Sequence, residues 1–505
     1  MGSKQIISKL GINSQEFNFQ FQSHPDYPSV LAFSDTLNFL SVKNEAYELK
    51  KEHWEELPEE FITIYNDNFA LVKKEESGIK VFSDDVQNVS KEKLYENSTD
   101  FVLLFEKENI SKEKKIFNFY WLFNGFLILI FGYSLLFLNL QNTLFNLLSI
   151  VGLFISFEII RKKFGDKSTI IKSICGSSAT NTTAKNDCNK IINADKTDIL
   201  GLKLSDLGLL YFSALLVLGI FSPFTDSVLK FLSFVSCLVI AYSLVIQIFI
   251  EKVLCKVCLL IIGILIGQII ISSLYFGNAI ILNTIALSAL AFLVLFFALV
   301  FINNLIKQKE EYKKSDIKNL KFKRNYGIFK RELLEKNRII FQGTEIFRLG
   351  KSDARLHISL VSNPYCGFCK EAHSILEKLL EKYPDDISAQ IRFNYFPDAA
   401  NSNYKNLIND FLYVYNKKNR ELIKSVDYWF EHKNEKKLRE YYNSQLHNSD
   451  LTEILNISIE NEGQGLNFTP VFLINGYPFP DKYDRKDIFY FVEELLEDEE
   501  IINEA

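Results

Sequence analysis

The alternation of apolar and polar positions divides the chain into three parts. Residues 1–113 mix charged stretches of helical period with short strand-like runs, Phe61–Tyr65, Phe69–Val72 and Phe101–Phe105, and predict a small α+β domain. From 114 to 306 the pattern turns into long apolar blocks. Ile116–Leu138, Asn142–Ile160, Leu204–Phe221, Val228–Ile250, Leu254–Phe276 and Ile280–Ile306 each approach the roughly 20 residues that cross a hydrocarbon core, so six spans are expected. Glu158, Asp206, Lys230 and Lys256 interrupt them with charge, each near an end where the side chain can reach the interface. Residues 307–340 are lysine-rich with helical character and read as a linker. From Phe341 onward the order is strand (Leu356–Val361), helix (Lys370–Lys382), strand (Ile387–Tyr395), a helical stretch (Asn401–Glu462), strand (Val471–Ile474) and helix (Lys486–Leu496). That order predicts an α/β domain with a helical insertion over 341–505.

Charge changes this picture little. The net charge of −5 averages acidic and basic stretches, and no clustered basic and aromatic surface points to nucleic acid. Met1–Gln20 is mixed and polar without an apolar core, so no signal peptide is expected there.

The cysteines change it a great deal. Six of the seven fall into three pairs: Cys175 and Cys188 in a polar loop, Cys255 and Cys258 opening an apolar run, and Cys366 and Cys369 after a strand-like run. Three pairs so arranged suit thiol–disulfide exchange passed from one to the next. A cysteine in the first turn of a helix has its thiolate stabilised by the dipole, and a partner three residues on can resolve a mixed disulfide. Cys366 is therefore the expected attacking thiol and Cys369 the resolving one. A zinc knuckle would need four ligands brought together, and the only other Cys-x-x-Cys opens a membrane span, so no metal is expected. A static bridge is the other reading of Cys175 and Cys188, but it could not pass electrons onward. Cys237 has no partner nearby and is expected to be a buried small apolar residue.

Residues 341–505 resemble the thioredoxin family in its DsbA-like form with inserted helices. The resemblance rests on Cys366-Gly367-Phe368-Cys369 together with Thr469-Pro470 just before Val471–Ile474. It implies a cis Pro470 packed against the disulfide, with Thr469 and Pro470 as the substrate-docking edge. Residues 142–276 resemble the vitamin K epoxide reductase family in the loop pair, the membrane Cys-x-x-Cys and the fused thioredoxin-like domain. This implies a four-helix bundle around a quinone (menaquinone or ubiquinone), with Cys258 facing the quinone ring. It also implies that Cys255 exchanges with the loop through Cys188, and Cys175 with the thioredoxin-like domain. The chain departs from the family at Ile262, where the mammalian enzyme has a tyrosine important for vitamin K chemistry, which favours quinone reduction over epoxide reduction. Asn193 lies where the family often has a serine, and Ile116–Leu138 is an additional span.

The N-terminal part resembles the cysteine-peptidase domains that precede bacteriocin exporters, through Ser23-His24-Pro25-Asp26-Tyr27-Pro28-Ser29 and Asn68-Phe69-Ala70-Leu71-Val72. Such a peptidase needs a cysteine activated by a histidine. Residues 1–113 hold no cysteine and Asn68 stands about where the histidine would be, which implies a degenerate, non-catalytic domain. His24 and His53 read as ordinary turn and surface residues.

The expectation is thus a multi-domain protein. A transmembrane helical core with a four-helix bundle and extra spans (114–306) lies between an N-terminal α+β domain and a thioredoxin-like α/β domain. Its partners would be membrane lipid, the quinone pool and dithiol proteins or peptides. A quinol-driven disulfide reductase, or a peptide-binding export accessory braced by its cysteines, are the alternatives. Span counting puts the soluble parts and the Cys175–Cys188 loop on one side of a bacterial cytoplasmic (inner) membrane. The lysines and arginines on that side argue for the cytoplasm. The resemblance implies the periplasm, where disulfides persist, and the periplasmic face is the expectation carried forward.

Overall fold

The computed structural model describes residues 3–75, 78–83, 86–106, 119–163, 204–220, 225–250, 255–277, 282–343, 345–395, 402–444 and 450–503. Cys175, Cys188 and Asn193 lie outside them. The chain forms two compact units, one of residues 1–114 with 313–505 and one of residues 115–312.

The N-terminal part sets α1 (Ser3–Lys9), α2 (Ser14–Gln22), α3 (Val30–Phe39) and α4 (Lys91–Asn97) against one sheet. Its strands are β1 (Asn44–Glu48), β2 (Glu60–Tyr65), β3 (Asn68–Glu75), β4 (Gly78–Phe82), β5 (Val86–Val89) and β6 (Ser98–Phe105), ordered β1-β6-β2-β3-β4-β5 with antiparallel neighbours. Because side chains alternate along a strand, Ile62, Leu71, Phe82 and Leu103 meet Phe17, Phe21 and Phe33 on one face. Phe61, Val72, Val81 and Val102 meet Trp54 and Leu94 on the other. The strand-like runs read from the sequence are the centres of β2, β3 and β6; β1 and β5 are short and mostly exposed, and β4, five residues long, is too short for its pattern to stand out.

The membrane unit contains α5 (Phe119–Phe137), α6 (Leu140–Lys163), α7 (Leu204–Ile220), α8 (Asp226–Val245), α9 (Lys256–Tyr275) and the greater part of α10 (Leu282–Lys323), whose last residues belong to the other unit. Five of these are long and apolar enough to cross a membrane. The six expected spans are all helices, but α7, with 17 residues, is shorter than the others. Helices α6, α7, α8 and α9 pack on one another, and α5 packs on α6. Two glycines let α6 and α7 approach closely: a Cβ at Gly152 of α6 would run into the Phe212 ring, and one at Gly219 of α7 into the Asn146 side chain. Three of the four charges noted in the spans are answered: Glu158 accepts from Arg161 Nη1 at 2.8 Å, Asp206 from Asn303 Nδ2 at 3.3 Å, and Lys230 donates to the Phe276 carbonyl at 3.3 Å; Lys256 is exposed. Cys237, expected to be buried, is instead exposed on α8. It lies among outward-facing apolar residues, Val235, Leu238 and Val239, so lipid solvates it as well as a core would.

The stretch 307–340 is more than a linker. Helix α10 continues through Lys323, and α11 (Tyr326–Leu334) places Phe329 and Leu333, one turn apart, in the C-terminal core. That core surrounds a sheet of β7 (Phe347–Gly350), β8 (Leu356–Ser362), β9 (Ile387–Phe393), β10 (Val471–Ile474) and β11 (Tyr477–Pro478) in the order β11-β10-β8-β9-β7. Strands β8 and β9 are parallel, joined through α12 (Cys369–Lys382), and the other pairs are antiparallel. The expected helical insertion is four helices, α13 (Ser402–Lys417), α14 (Glu421–His432), α15 (Glu435–Tyr442) and α16 (Thr452–Gly463). A tight helical turn over Arg485–Tyr490, α17 (Val492–Glu497) and α18 (Glu499–Asn503) complete the chain.

The N- and C-terminal parts of this unit are joined through Arg324. Its guanidinium donates to Gln20 Oε1 at 2.7 Å and to Asp487 Oδ1 at 3.1 Å, and lies 4.0 Å over the Tyr490 ring. Lys43–Glu381 and Lys378–Ser41 tie the rim at 2.7 and 2.6 Å. His24, read as an ordinary turn residue, is buried here: Nε2 is 3.3 Å from Asp35 Oδ2 and the ring packs on Tyr490. A histidine next to a proline turn carries no mark in the sequence of the partner strand or helix that will cover it.

Candidate active site

Strand β8 ends at Ser362, and the chain turns through Asn363-Pro364-Tyr365 into α12. Asn363 makes the turn: its side chain accepts from the Tyr365 N–H at 2.9 Å and its carbonyl from the Cys366 N–H at 2.9 Å. Trp429 of α14 donates to the Pro364 carbonyl at 2.8 Å and pins it. Cys366 therefore stands just ahead of the helix, half-buried, while Cys369 is the first helical residue and fully buried. The expected helix start is present, with the first cysteine in the turn and not in the helix itself.

The electrostatics separate the two sulfurs. Burial alone would push the Cys366 thiol up, but hydrogen bonds from the Thr469 side chain and Cys369, and from the N–H groups of Phe368 and Cys369, outweigh it and hold the thiol below its ordinary value. Burial pushes Cys369 up, against hydrogen bonds from the Asn363 N–H and the Ser362 hydroxyl. The outward sulfur is thus the easier of the two to ionise, and burial holds the inward one as a thiol. Thr469–Pro470 is cis, and the Thr469 carbonyl oxygen is 3.3 Å from Cys366 Sγ. Tyr365, Phe368 and Phe468 stand exposed around it, an apolar rim on which a polypeptide can lie.

The second Cys-x-x-Cys is built differently. Cys255 is the N-cap of α9: its sulfur accepts from the Cys258 N–H at 3.4 Å. The Cys255 N–H donates to Gln247 Oε1 at 3.0 Å, and Gln247 Nε2 donates to Ser243 Oγ at 3.0 Å. Gln247 lies in a π-helical turn, Ile246–Ile250, that ends α8, and both it and Cys255 are buried. Wide turns of this kind interrupt the regular ladder and are frequent at functional sites. Cys258 is half-buried and packs against the apolar cluster of Ile155, Ile159, Phe212, Leu215 and Leu265. Gln247 was missed from sequence; a lone amide in an apolar run eight residues before Cys255 is the signal that marked it.

An apolar ring with two carbonyl oxygens suits this setting. Among the described residues, Asn146 Oδ1, Ser156 Oγ and Gln268 Oε1 are buried in the unit without a hydrogen-bond partner. Ser149 Oγ accepts from Gln268 Nε2 at 2.8 Å. The interior thus combines apolar walls with a few spare polar atoms, the composition of a small-molecule site. The loop cysteines Cys175 and Cys188 fall outside the described residues, so the described residues bring together two of the three pairs, each within its own unit.

Residues 143–273 match the vitamin K epoxide reductase family and residues 342–494 match a thioredoxin family. No curated protein matches the chain. Solved structures similar to part of it include BdbD from Bacillus subtilis (15% identity, 32% of this chain and 100% of that one, TM-score 0.26). The catalytic domain of Proteus mirabilis ScsC (20%, 34% and 99%, 0.27) and Chlamydia trachomatis DsbA (18%, 32% and 96%, 0.26) are others. With both family domains present, the chain is a multi-pass membrane protein and a redox protein of the thiol–disulfide oxidoreductase kind.

Proposed function

We propose that this thiol–disulfide oxidoreductase oxidises substrate dithiols at Cys366–Cys369 and passes the electrons through Cys175–Cys188 and Cys255–Cys258 to a quinone. The observation that carries the reading is the stabilised outward sulfur of Cys366 backed by a buried thiol. A stabilised thiolate favours the reduced form of a pair, which makes its disulfide an oxidant. That supports a direction from substrate inward.

A substrate thiolate attacks Cys366 Sγ of the disulfide and Cys369 leaves. A second substrate thiolate then attacks the substrate sulfur of the mixed disulfide and releases Cys366, a good leaving group because its thiolate is stabilised. The substrate leaves with a disulfide and the domain holds two thiols. Cys366 next attacks the Cys175–Cys188 bridge at Cys175, and Cys369 resolves, returning the domain to its oxidised form. Cys188 then attacks Cys255 of the Cys255–Cys258 disulfide and Cys258 leaves as a thiolate; Cys175 attacks Cys188, remaking the loop disulfide and releasing Cys255, so that Cys255 and Cys258 hold the two thiols. A quinone supplies the final sink, accepting two electrons and two protons. Gln247 holds the Cys255 backbone in place, and the apolar wall behind Cys258 excludes water from that step. Residues 1–113 act as a non-catalytic accessory, the redox face is periplasmic, and Thr469 and Pro470 form the docking edge.

Removing a resolving cysteine traps its partner's mixed disulfide. Cys369→Ala should accumulate a Cys366–Cys175 bridge, and Cys175→Ala a Cys188–Cys255 bridge, both visible by mass spectrometry of acid-quenched membranes. If neither variant holds a trapped species, the three pairs are not a relay.

A further inference from the structure

Among the described residues of the membrane unit, one buried hydroxyl is left unused by its own helix. The buried hydroxyls of Ser134, Ser149, Ser233 and Ser272 each donate to a backbone carbonyl three or four residues back, at 2.8–3.1 Å. That local bond is the ordinary way a helix absorbs a serine away from water. Ser156 of α6 is as buried as they are, at 1% exposed, yet its Oγ has no hydrogen-bond partner among the described residues. Gly208 of α7 leaves it room, since a Cβ there would stand 2.9 Å from Ser156 Oγ. A donor unmet in an apolar interior costs free energy, and an alanine would fill the same place without that cost. The hydroxyl therefore calls for a partner from outside the chain.

The helix register sets Ser156 near the level of Cys258. Gln268 Nε2 donates to Ser149 Oγ at 2.8 Å, and the Phe145 and Phe276 ring centroids are 5.2 Å apart, so α6 and α9 run antiparallel. Ser156 stands seven residues beyond Ser149, two turns along the same face. Seven residues back from Gln268 is Ile261, and Cys258 lies one turn nearer the start of α9. Cys258, Ile261, Leu265 and Gln268, spaced by three and four, form one stripe of that helix. Ser156 and Cys258 thus differ in level by about one turn, roughly 4.5 Å. Ile155, Ile159 and Phe212 belong to the apolar core against which Cys258 packs. Ile262, one turn beyond Cys258, brings no donor.

We propose that Ser156 donates its hydrogen bond to a carbonyl oxygen of the quinone that Cys258 reduces. The inference rests on the quinone reading above and names the residue that holds the acceptor. A quinone carries carbonyl oxygens that accept but do not donate on an apolar ring, which suits an unused O–H set among apolar walls. A donor placed at that oxygen stabilises the negative charge that builds there as electrons arrive. Once the oxygen is protonated, Ser156 Oγ can accept from it in turn, because a hydroxyl both donates and accepts. Ser156 is thus a binding residue for both forms of the acceptor. No electron and no bond to sulfur passes through it.

The test uses the full chain in detergent with its cysteine pairs oxidised, so that a bound quinone is not consumed. The probe is a short-tailed menaquinone labelled with carbon-13 at its carbonyls. Equilibrium titration gives its dissociation constant, and the infrared carbonyl band of the bound probe reports the hydrogen bond itself. Ser156→Ala should raise the dissociation constant about threefold to tenfold, the scale of one neutral hydrogen bond. It should also move one carbonyl band up toward its frequency in hexane. Without quinone the same variant should melt no lower than the unaltered chain, because it removes a hydroxyl that the protein does not meet. A carbonyl band that stays in place overturns the assignment whatever the dissociation constant does, and is the result expected if the hydroxyl binds only water. A lowered melting midpoint, or failure to fold, would assign Ser156 to the fold and overturn it as well. Absence of binding by the unaltered chain would overturn the quinone reading instead.

Discussion

The two Cys-x-x-Cys motifs both stand at the N-terminal end of an α-helix, yet they expose opposite members. In the thioredoxin-like part Cys366 is half-buried and Cys369 fully buried; in the membrane unit Cys255 is buried and Cys258 half-buried. Identical spacing therefore does not decide which sulfur meets a partner. The segment before the helix does. The Asn363 turn lifts Cys366 clear of α12 and the βαβ crossing rolls Cys369 into the core. At α9 the Gln247 side chain takes the Cys255 N–H and fixes that cysteine as a covered cap, leaving Cys258 one turn later against apolar side chains. On the proposed function, the first motif meets a polypeptide from outside and the second an apolar acceptor from within.

The comparison is broken most strongly in acid. His373 belongs only to the thioredoxin-like site. Its pKa is depressed to about 3 in the folded chain, against about 6.5 unfolded. Between these values the unfolded chain binds a proton that the folded one does not, so the stabilisation is fully present above pH 6.5 and is lost as pH falls toward 3. The loss approaches about 5 kcal/mol at its limit. Thermal unfolding of the full chain in detergent, followed at Trp429 after Trp54→Phe and Trp121→Phe, should show this loss, and His373→Gln should flatten it. Equal acid sensitivity in the variant would mean that the imidazole does not carry the effect.

A smaller effect sharpens the other half. Gln247→Leu keeps the volume but leaves the Cys255 N–H unmet, and should slow the membrane step about tenfold, the scale of one lost hydrogen bond to a buried group. Thione release from Cys366 should be untouched. Quinol formation by reconstituted protein reads the first quantity, and the release of thione when dipyridyl disulfide is mixed with the reduced protein reads the second. A Gln247→Leu chain with normal quinol formation would separate the cap from the chemistry.

Much of this arrangement was legible in the sequence. Cys366-Gly367-Phe368-Cys369 after a strand, Thr469-Pro470 before another, and apolar blocks of spanning length are local patterns, and local patterns survive without coordinates. The missed features are contacts between distant segments. Ser362 and His373 are eleven residues apart and meet because a turn folds the strand end over the helix. Arg324 reads as one more charge in a basic stretch, yet it is buried between Gln20 and Asp487. Cys237 shows the converse: an apolar run implies burial in a water-soluble protein, whereas a lipid-facing helix shows the same composition outward.

The central claim is that electrons entering at Cys366–Cys369 leave through Cys258, and one measurement addresses it directly. Full-length protein in liposomes with and without quinone is reduced stoichiometrically, and the redox state of Cys366–Cys369 is followed by acid quench and thiol labelling. Reoxidation should proceed with quinone, stop without it, and stop in Cys258→Ala even with quinone present. Reoxidation at the same rate in all three would show that the two motifs are not connected.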